Sequence, residues 1–510
     1  MFVSIREMFK SSVGRTPERD AIVNVLSEER YTFRDLADSA YSVANSFSEM
    51  GVEKGDRIAV CLTNRPEHGI VFLASQIIGA VAVPINFRVP PGKVVYHMED
   101  SKPKVLFFGK ASRESVGEAH GDFDCDTCVQ VGDSVAEFAR PFQDLLEARP
   151  DEPEVKVNQE DRSIILYTSG TTGDPKGVPL NHRNAAMRSI TYSLSIGRRS
   201  RETMLGVMPM YHTVGLHSTF CSMMGMSGTY LSMPIFDPEK AARAVAEENV
   251  TILHEAPTIL KRIAETKTAK GKDFDTVRKV VYAGSPLNES GYSLIEKTFK
   301  PDQVFCDYGM TEVACPMEMV NNRKTDELNV VGRNNFFHRT RIVEIGSDDP
   351  EALVEPGEEG ELIIHKNSAT SFNKYWNKPE KTEEAIKEGW IFTEDTVTET
   401  EKGHISITGR TDDMIKSGGE NIHPPEVENI LTAHPEVKDA AVIGVPDEEW
   451  GEKVKAYIHG EKVSKEEMDE WCLQNENLEN FKRPKEYEFI EEIPRNPSGK
   501  ILRYKLREQE

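Results

Sequence analysis

Short β-type runs alternate with helix-spaced stretches along this chain. Residues 57–62, 105–109, 163–168, 279–283 and 361–365 are compact apolar runs of strand length. Residues 33–50 and 238–248 carry apolar positions at helical spacing. Such alternation predicts α/β layering with largely parallel sheets. Several strands end in Gly/Ser/Thr-rich turns, and ligand crevices of open α/β sheets lie at such carboxyl ends. Residues 70–87 are the most apolar stretch, but Ser75, Gln76, Gly79, Pro84 and Asn86 interrupt it. It reads as a buried helix running into a short strand, not as a membrane span of about 20 residues. No period of roughly 20–50 residues repeats, which excludes a solenoid.

The pattern changes near 410–413. Before it comes a β-rich stretch, 357–408. After it the chain restarts with a helix at 424–433, strands at 440–445 and 453–459, a helix at 464–474 and a strand near 487–490. That tail is long enough for its own core. The charged run Arg410-Thr-Asp-Asp413 has the polar character of an exposed hinge. The expected division is a large N-terminal unit, 1–411, of layered α/β subdomains plus a β-rich subdomain, and a small mobile α+β unit, 412–510.

Composition narrows the class. The 510 residues are several domains' worth at roughly 100–200 each. Hydrophobic residues at 38% and charged residues at 29% describe a soluble globular chain. A net charge of −23 argues against a nucleic-acid partner, whose binding rests on phosphate neutralisation. It does not forbid a phosphorylated ligand held by a local cluster of donors. Residues 1–14 lack the apolar core of a signal peptide. Seven scattered cysteines point to a reduced, cytoplasmic compartment. Cys125 and Cys128 form a lone C-x-x-C with no second ligand pair, so a surface loop is expected there rather than zinc.

The densest chemistry is the run from Tyr167 to Val178, YTSGTTGDPKGV. An apolar strand opens into Thr168, Ser169, Gly170, Thr171, Thr172, Gly173 and then Lys176. Glycines let backbone N–H groups turn inward around an anion, hydroxyls add donors, and the lysine adds charge. This is a phosphate-binding loop, though not the Walker type. A flexible linker would not follow a β-branched apolar strand with so many donors.

Further motifs follow in order: PMYHTVG at 209–215, AGSPL at 283–287, DYGMTE at 307–312, GWIFTED at 389–395, GRTDDMIKSGGENI at 409–422 and PRNPSGKILR at 494–503. Together they resemble the adenylate-forming superfamily of acyl-CoA synthetases, luciferases and peptide-synthetase adenylation domains, over essentially the whole chain. The pattern is closest to acyl-CoA ligases of medium-chain or aromatic acids.

The resemblance implies roles. Thr168 to Gly173 and Lys176 would hold the β- and γ-phosphates of ATP. Gly284, Ser285 and Pro286 would lie beside the adenine, on which Tyr308 would stack; Asp307, Gly309 and Met310 complete that nucleotide turn. Thr311 would donate to the α-phosphate. Glu312 would be the Mg²⁺ ligand, suiting an ion that takes one or two carboxylates beside phosphate oxygens. Asp395 would accept from both ribose hydroxyls, with Arg410 as a second contact. Glu394 stands where the family usually has glycine.

Lys500 would bridge the substrate carboxylate and the α-phosphate during adenylation. The small unit would then rotate about Asp412. Lys416 and Ser417, Gly418 and Gly419 would face the cleft in the second step, the glycines leaving room for the pantetheine arm of CoA. Tyr211, His212, Ala283 and Gly284 would border the acyl group, with 213–219 and 253–257 completing that pocket. A methionine cluster, Met210, Met223, Met224 and Met226, reads mainly as core.

The implied reaction joins a carboxylic acid to CoA with ATP cleaved to AMP and pyrophosphate. The alternative acceptor is a carrier-protein pantetheine. Peptide-synthetase domains place an aspartate in the acyl motif, absent from Tyr211-His212-Thr213. Medium-chain or aromatic acids fit better than acetate. A homodimer is a candidate assembly, and a lysine acetyltransferase acting on Lys500 a candidate regulator.

Overall fold

The computed structural model describes residues 3–168, 174–324, 329–460, 463–475, 478–496 and 499–510. Two parallel-rich sheets form the bulk of the large domain. In one, the strand order is Arg140–Pro141, Thr127–Val131, Val105–Gly109, Arg57–Cys61, Val81–Pro84, Arg162–Tyr167 and Gly177–Asn181. All neighbours are parallel except the last pair, an antiparallel hairpin with Tyr167 opposite Gly177. The second runs Gln303–Asp307, Lys279–Ala283, Ile252–Glu255, Thr203–Gly206, Thr229–Ser232, Asp20–Asn24 and Arg30–Thr32, parallel up to its final antiparallel pair.

The segment read as helix-then-strand is helix Pro66–Ile78, then Gly79 at φ 72°, then strand Val81–Pro84. Every residue of that helix is buried, which explains why it shows no polar stripe. The turn needs the left-handed conformation that glycine adopts without strain.

A third, antiparallel sheet contains Val330–Asn334, Thr340–Val343, Glu359–His365, Trp390–Glu399 and Ile405–Arg410. It accounts for the β-rich stretch. The small domain is a five-stranded sheet in which Gly451–Gly460 is central, pairing with Ile415–Ser417, with the long hairpin partner Val437–Asp447 and with Glu486–Phe489. Its two faces carry separate cores. Ile415, Val427, Leu431, Met468 and Cys472 lie in one, and Ile443, Val445, Tyr457 and Leu506 in the other.

Two expectations are corrected. The run Arg410–Asp413 is not a bare solvated hinge: Asp413 is largely buried and pairs with Arg503 at 3.2 Å and Arg507 at 3.0 Å. The C-x-x-C is not a surface loop either. Cys128 is buried in strand Thr127–Val131, and the half-buried Cys125 thiol donates to the Lys104 carbonyl at 3.3 Å. Met210, Met223 and Met224 are core residues, as their pattern suggested.

Candidate active site

A cleft of about 1420 Å³ lies where the carboxyl ends of the second sheet meet the third sheet and the small domain. Its wall holds Thr168, Lys176, His212, Gly284, Ser285, Pro286, Asp307, Tyr308, Gly309, Met310, Thr311, Glu312, Asp395, Arg410, Asp412 and Lys500. These residues are up to about 330 positions apart in sequence and converge on one space.

The base of the phosphate-loop candidate is a hairpin turn. Thr168 N–H donates to the Lys176 carbonyl at 3.0 Å, and Lys176 N–H to the Thr168 hydroxyl at 3.3 Å. Ser169, Gly170, Thr171, Thr172 and Gly173 lie outside the described residues. Lys176 extends over the Tyr375 ring, 4.6 Å from its centroid. The Tyr375 hydroxyl in turn donates to Glu312 Oε1 at 2.7 Å. Tyr375 is 4% exposed and was not a sequence candidate. Its only local signal is a Tyr-Trp pair among polar residues, which marks burial and says nothing of a partner 63 positions away.

Arg188 was also missed. It is fully buried and donates to the Thr370 carbonyl at 2.9 Å, the Glu312 carbonyl at 3.2 Å and the Thr213 hydroxyl at 3.1 Å. Burial pulls its pKa down to about 10, leaving it charged at neutral pH. It ties the backbone under Glu312 to the turn that carries His212. That histidine is held neutral by burial, with its pKa down to about 4.

A second polar net faces the same cleft. Asp395 accepts from the Tyr308 hydroxyl at 2.6 Å and from Arg410 Nη1 at 2.9 Å. Arg410 reaches Asp412 at 2.9 Å and Glu394 at 2.8 Å. Burial opposes the Arg410 charge, yet Asp395, Asp412 and Glu394 outweigh it and raise its pKa. Glu394 occupies its usual-glycine position at φ +61°, so the turn keeps the left-handed backbone despite the side chain.

Lys500 also lines the cleft. Its loop packs on the large domain: a Cβ at Gly499, which has φ +87°, would lie 3.2 Å from the Ala256 Cβ. Burial first, and then the Arg410 charge, lower the Lys500 pKa. Lys416, Gly418 and Gly419 are instead exposed and off the cleft wall. Gly418 N–H donates to the Trp450 carbonyl at 2.8 Å.

Two candidates move. Tyr211 is not on the cleft wall; it is buried against Phe87 with ring centroids 6.0 Å apart. Asp307 lines the cleft, but its carboxylate meets His254 and Cys315 and not the Tyr308–Asp395 pair. Of the further acyl segments, Thr213, Val214 and Ser218 reach the cleft, while 253–257 do not.

The pattern of the AMP-binding enzymes matches residues 9–376, and that of the AMP-binding enzyme C-terminal domain matches 426–500. The chain is 32% identical to a 4-chlorobenzoate–CoA ligase of Arthrobacter sp., covering 98% of this chain and 94% of the relative. It is likewise 32% identical to the long-chain-fatty-acid–CoA ligase FadD13 of Mycobacterium tuberculosis, over 98% and 97%. Among solved structures, a Mycobacterium tuberculosis fatty acyl CoA synthetase is 30% identical with TM-score 0.76, covering 99% and 98%. The anthranilate CoA ligase AuaEII, in complex with anthranoyl-AMP, shares the fold at TM-score 0.90 and 23% identity, covering 100% and 97%.

Proposed function

For a chain that belongs to the AMP-binding enzyme family and is an AMP-forming acyl-CoA ligase, we propose a medium-chain or aromatic acid as substrate and the following division of labour. The observation that carries it is the convergence of Lys176, Glu312, Asp395, Arg410 and Lys500 on one cleft. The names of the relatives, a chlorobenzoate and a long-chain acid among them, support acids larger than acetate.

In the first step a carboxylate oxygen attacks the α-phosphorus of ATP, and the bond to pyrophosphate breaks. Both reactants are anionic, so catalysis is mainly charge neutralisation and alignment. Lys176 and the loop it closes hold the outer phosphates. Thr311 donates to the α-phosphate. Asp395 accepts from the ribose hydroxyls, and Arg410 keeps it oriented. Lys500 bridges the attacking carboxylate and the α-phosphate as a mobile point charge.

Glu312 fits a magnesium ligand: it lines the cleft, and Tyr375 engages only its Oε1. When bound, that ion adds positive charge at the phosphates. Glu312→Gln is expected to weaken adenylation with partial rescue by added Mg²⁺.

In the second step the CoA sulfur attacks the acyl carbon and AMP leaves. Residues 1–411 stay fixed while 412–510 turn about Asp412, exchanging the Lys500 loop for Lys416 and the Ser417–Gly419 turn. His212, half-buried at the cleft wall and kept neutral by desolvation, borders the thiol path without adding charge. Seven free thiols suit a reducing, cytoplasmic setting. Among the described residues, no helix is long and apolar enough to cross a membrane. Homodimerisation and acetylation of Lys500 belong to the same reading, since acetylation removes the bridging charge.

The deciding assay follows AMP and pyrophosphate release with an acid panel, with and without CoA. AMP and acyl-CoA are the expected products. Release of ADP would overturn adenylation, because it requires attack at the γ-phosphorus.

A further inference from the structure

One carboxylate of the cleft wall stands apart from the Tyr308–Asp395–Arg410 net. Asp307 closes strand Gln303–Asp307, and Tyr308 follows it. Successive side chains of an extended strand point to opposite sides. Tyr308 accordingly sends its hydroxyl to Asp395, while Asp307 turns away from that net toward His254 and Cys315.

The surroundings of this carboxylate are poor in donors. Asp307 is 8% exposed and lines the cleft. Cys315 Sγ, a weak donor, lies 3.5 Å from Oδ1. His254 Nε2 is 3.3 Å from Oδ2 but off line, and neither ring nitrogen of His254 makes a hydrogen bond among the described residues. Tyr192 stacks on His254 with centroids 5.0 Å apart, and its buried hydroxyl is also without a partner. No backbone N–H, lysine or arginine of the described residues donates to Asp307. Ser218, which also lines the cleft, reaches Cys315 at 3.9 Å.

A carboxylate buried with so few donors is costly unless something entering the cleft supplies one. Val214, Ser218, Ala283 and Ala314, all with small side chains, line the same cleft, and Ala283 is paired in register with Asp307. A wall of such small side chains suits a flat body more than a bulky branched one.

We infer that the acid this enzyme activates is an aromatic carboxylic acid bearing a hydroxyl or amino group at the end remote from its carboxylate, and that Asp307 accepts a hydrogen bond from that group. The inference rests on the acyl-CoA ligase reading and narrows its substrate class. An ionised carboxylate only accepts, so a substituent that donates is favoured over one of similar size that does not. A site built to meet a donor rejects the analogue lacking it more strongly than an apolar slot rejects a missing methylene.

The test compares kcat/KM for acyl-CoA formation with 4-hydroxy-, 4-amino-, 4-methyl- and 4-methoxybenzoate, the corresponding 3-phenylpropenoates, and hexanoate to decanoate. In the better aromatic series, the hydroxy or amino acid is expected to exceed its methyl partner by at least about tenfold. In Asp307→Ala that ratio is expected to fall to near unity. In Asp307→Asn, which keeps one acceptor oxygen, part of it is expected to remain. Each ratio is internal to one protein, so a general loss of folding or turnover does not imitate the result. Equal or better use of the methyl or methoxy acid, or an undiminished ratio in Asp307→Ala, overturns the inference. Thioester formation from the aliphatic acids alone overturns it while leaving the ligase reading intact. Failure of every acid to yield AMP removes both.

Discussion

The loop carrying Lys500 and the loop carrying Gly418 and Gly419 belong to the same small domain, yet they meet different surroundings. The first packs on Ala256 and lines the cleft. The second is exposed, and an added Cβ at Gly419 would meet nothing within 4 Å. Trp450, half exposed, covers only Gly418. A rigid domain can press one of these faces into the cleft at a time. On the proposed division of labour, this arrangement is the one suited to the first step, and the second would require a turn of the small domain.

The largest expected effect breaks this comparison at Lys500. Lys500→Ala should lower adenylation by about 10²–10³, the usual cost of losing one aimed electrostatic group. It should spare thioester formation from supplied acyl-adenylate and CoA, because that step uses the other face. The pH dependence sharpens the same point. Lys500 carries its bridging charge only below its pKa, which burial and Arg410 lower. Adenylation should therefore decline on the alkaline side before an ordinary lysine, near 10.4, would lose its proton. The thioester step measured from supplied adenylate should lack that limb. Equal loss of both half-reactions in a folded Lys500→Ala protein contradicts the two-face reading.

The reciprocal variant is Gly419→Leu. Gly419 has φ +90°, where a side chain is strained, and leucine would fill the open space over the turn. Thioester formation is expected to fall by about tenfold or more while pyrophosphate release without CoA stays within about twofold, since that cost is confined to a local strain of order 1–3 kcal/mol. Stopped-flow measurement of each half-reaction separates them.

A smaller effect is expected at the joint between the two arrangements. Asp413 holds Arg503 and Arg507 at 3.2 and 3.0 Å, and Arg503 also reaches Glu428 at 2.6 Å. Burial pushes the Asp413 pKa up, but the arginines and Lys500 pull it down further, so the net shift is downward. A depressed pKa stabilises the fold fully above the unfolded value, near 3.9, and that support is lost as pH falls from there through the lower folded value. Asp413→Asn should cost the small domain about 2–3 kcal/mol, below the 3–5 typical of a broken buried pair because Glu428 remains. Its acid limb below about pH 4 should flatten relative to wild type in a pH series of thermal midpoints.

The strands and the spacing of the later motifs were legible in the sequence because each is a local requirement. Anions need glycines and hydroxyls in a row, and buried strands need consecutive apolar residues. Tyr375, Arg188 and the clamp on Asp413 were not legible, because their roles lie in partners far along the chain. Arg188 looks like any polar residue on a helix until Thr370 and Glu312 close over it. Asp307 was legible as a cleft residue but not by direction. One position on a strand decides whether a side chain joins the Asp395 net or turns toward His254, and the motif does not state that register.

The smallest effect concerns Glu394, where sequence and structure differ in an instructive way. The family's glycine at this turn implies a left-handed backbone, and a glutamate there could have changed it. The backbone stays at φ +61°, with Glu394 N–H donating to Glu361 Oε1 at 2.9 Å. Asp395 thus keeps its place beside Tyr308 and Arg410. The left-handed conformation costs a residue with a side chain about 1–2 kcal/mol. Against that, the Glu394–Arg410 ion pair returns little, because the Glu394 side chain is 60% exposed and water screens it. Arg410 also retains Asp395 and Asp412. Glu394→Gly should therefore raise the denaturant midpoint, by an equivalent of up to about 1 kcal/mol, with KM for ATP changed by less than about threefold. Glu394→Ala, which loses the ion pair but keeps the strain, should be slightly less stable than wild type. If glycine instead destabilises the protein as alanine does, the ion pair outweighs the strain. Glu394 would then help to hold Arg410 in the cleft rather than merely occupy a glycine's place.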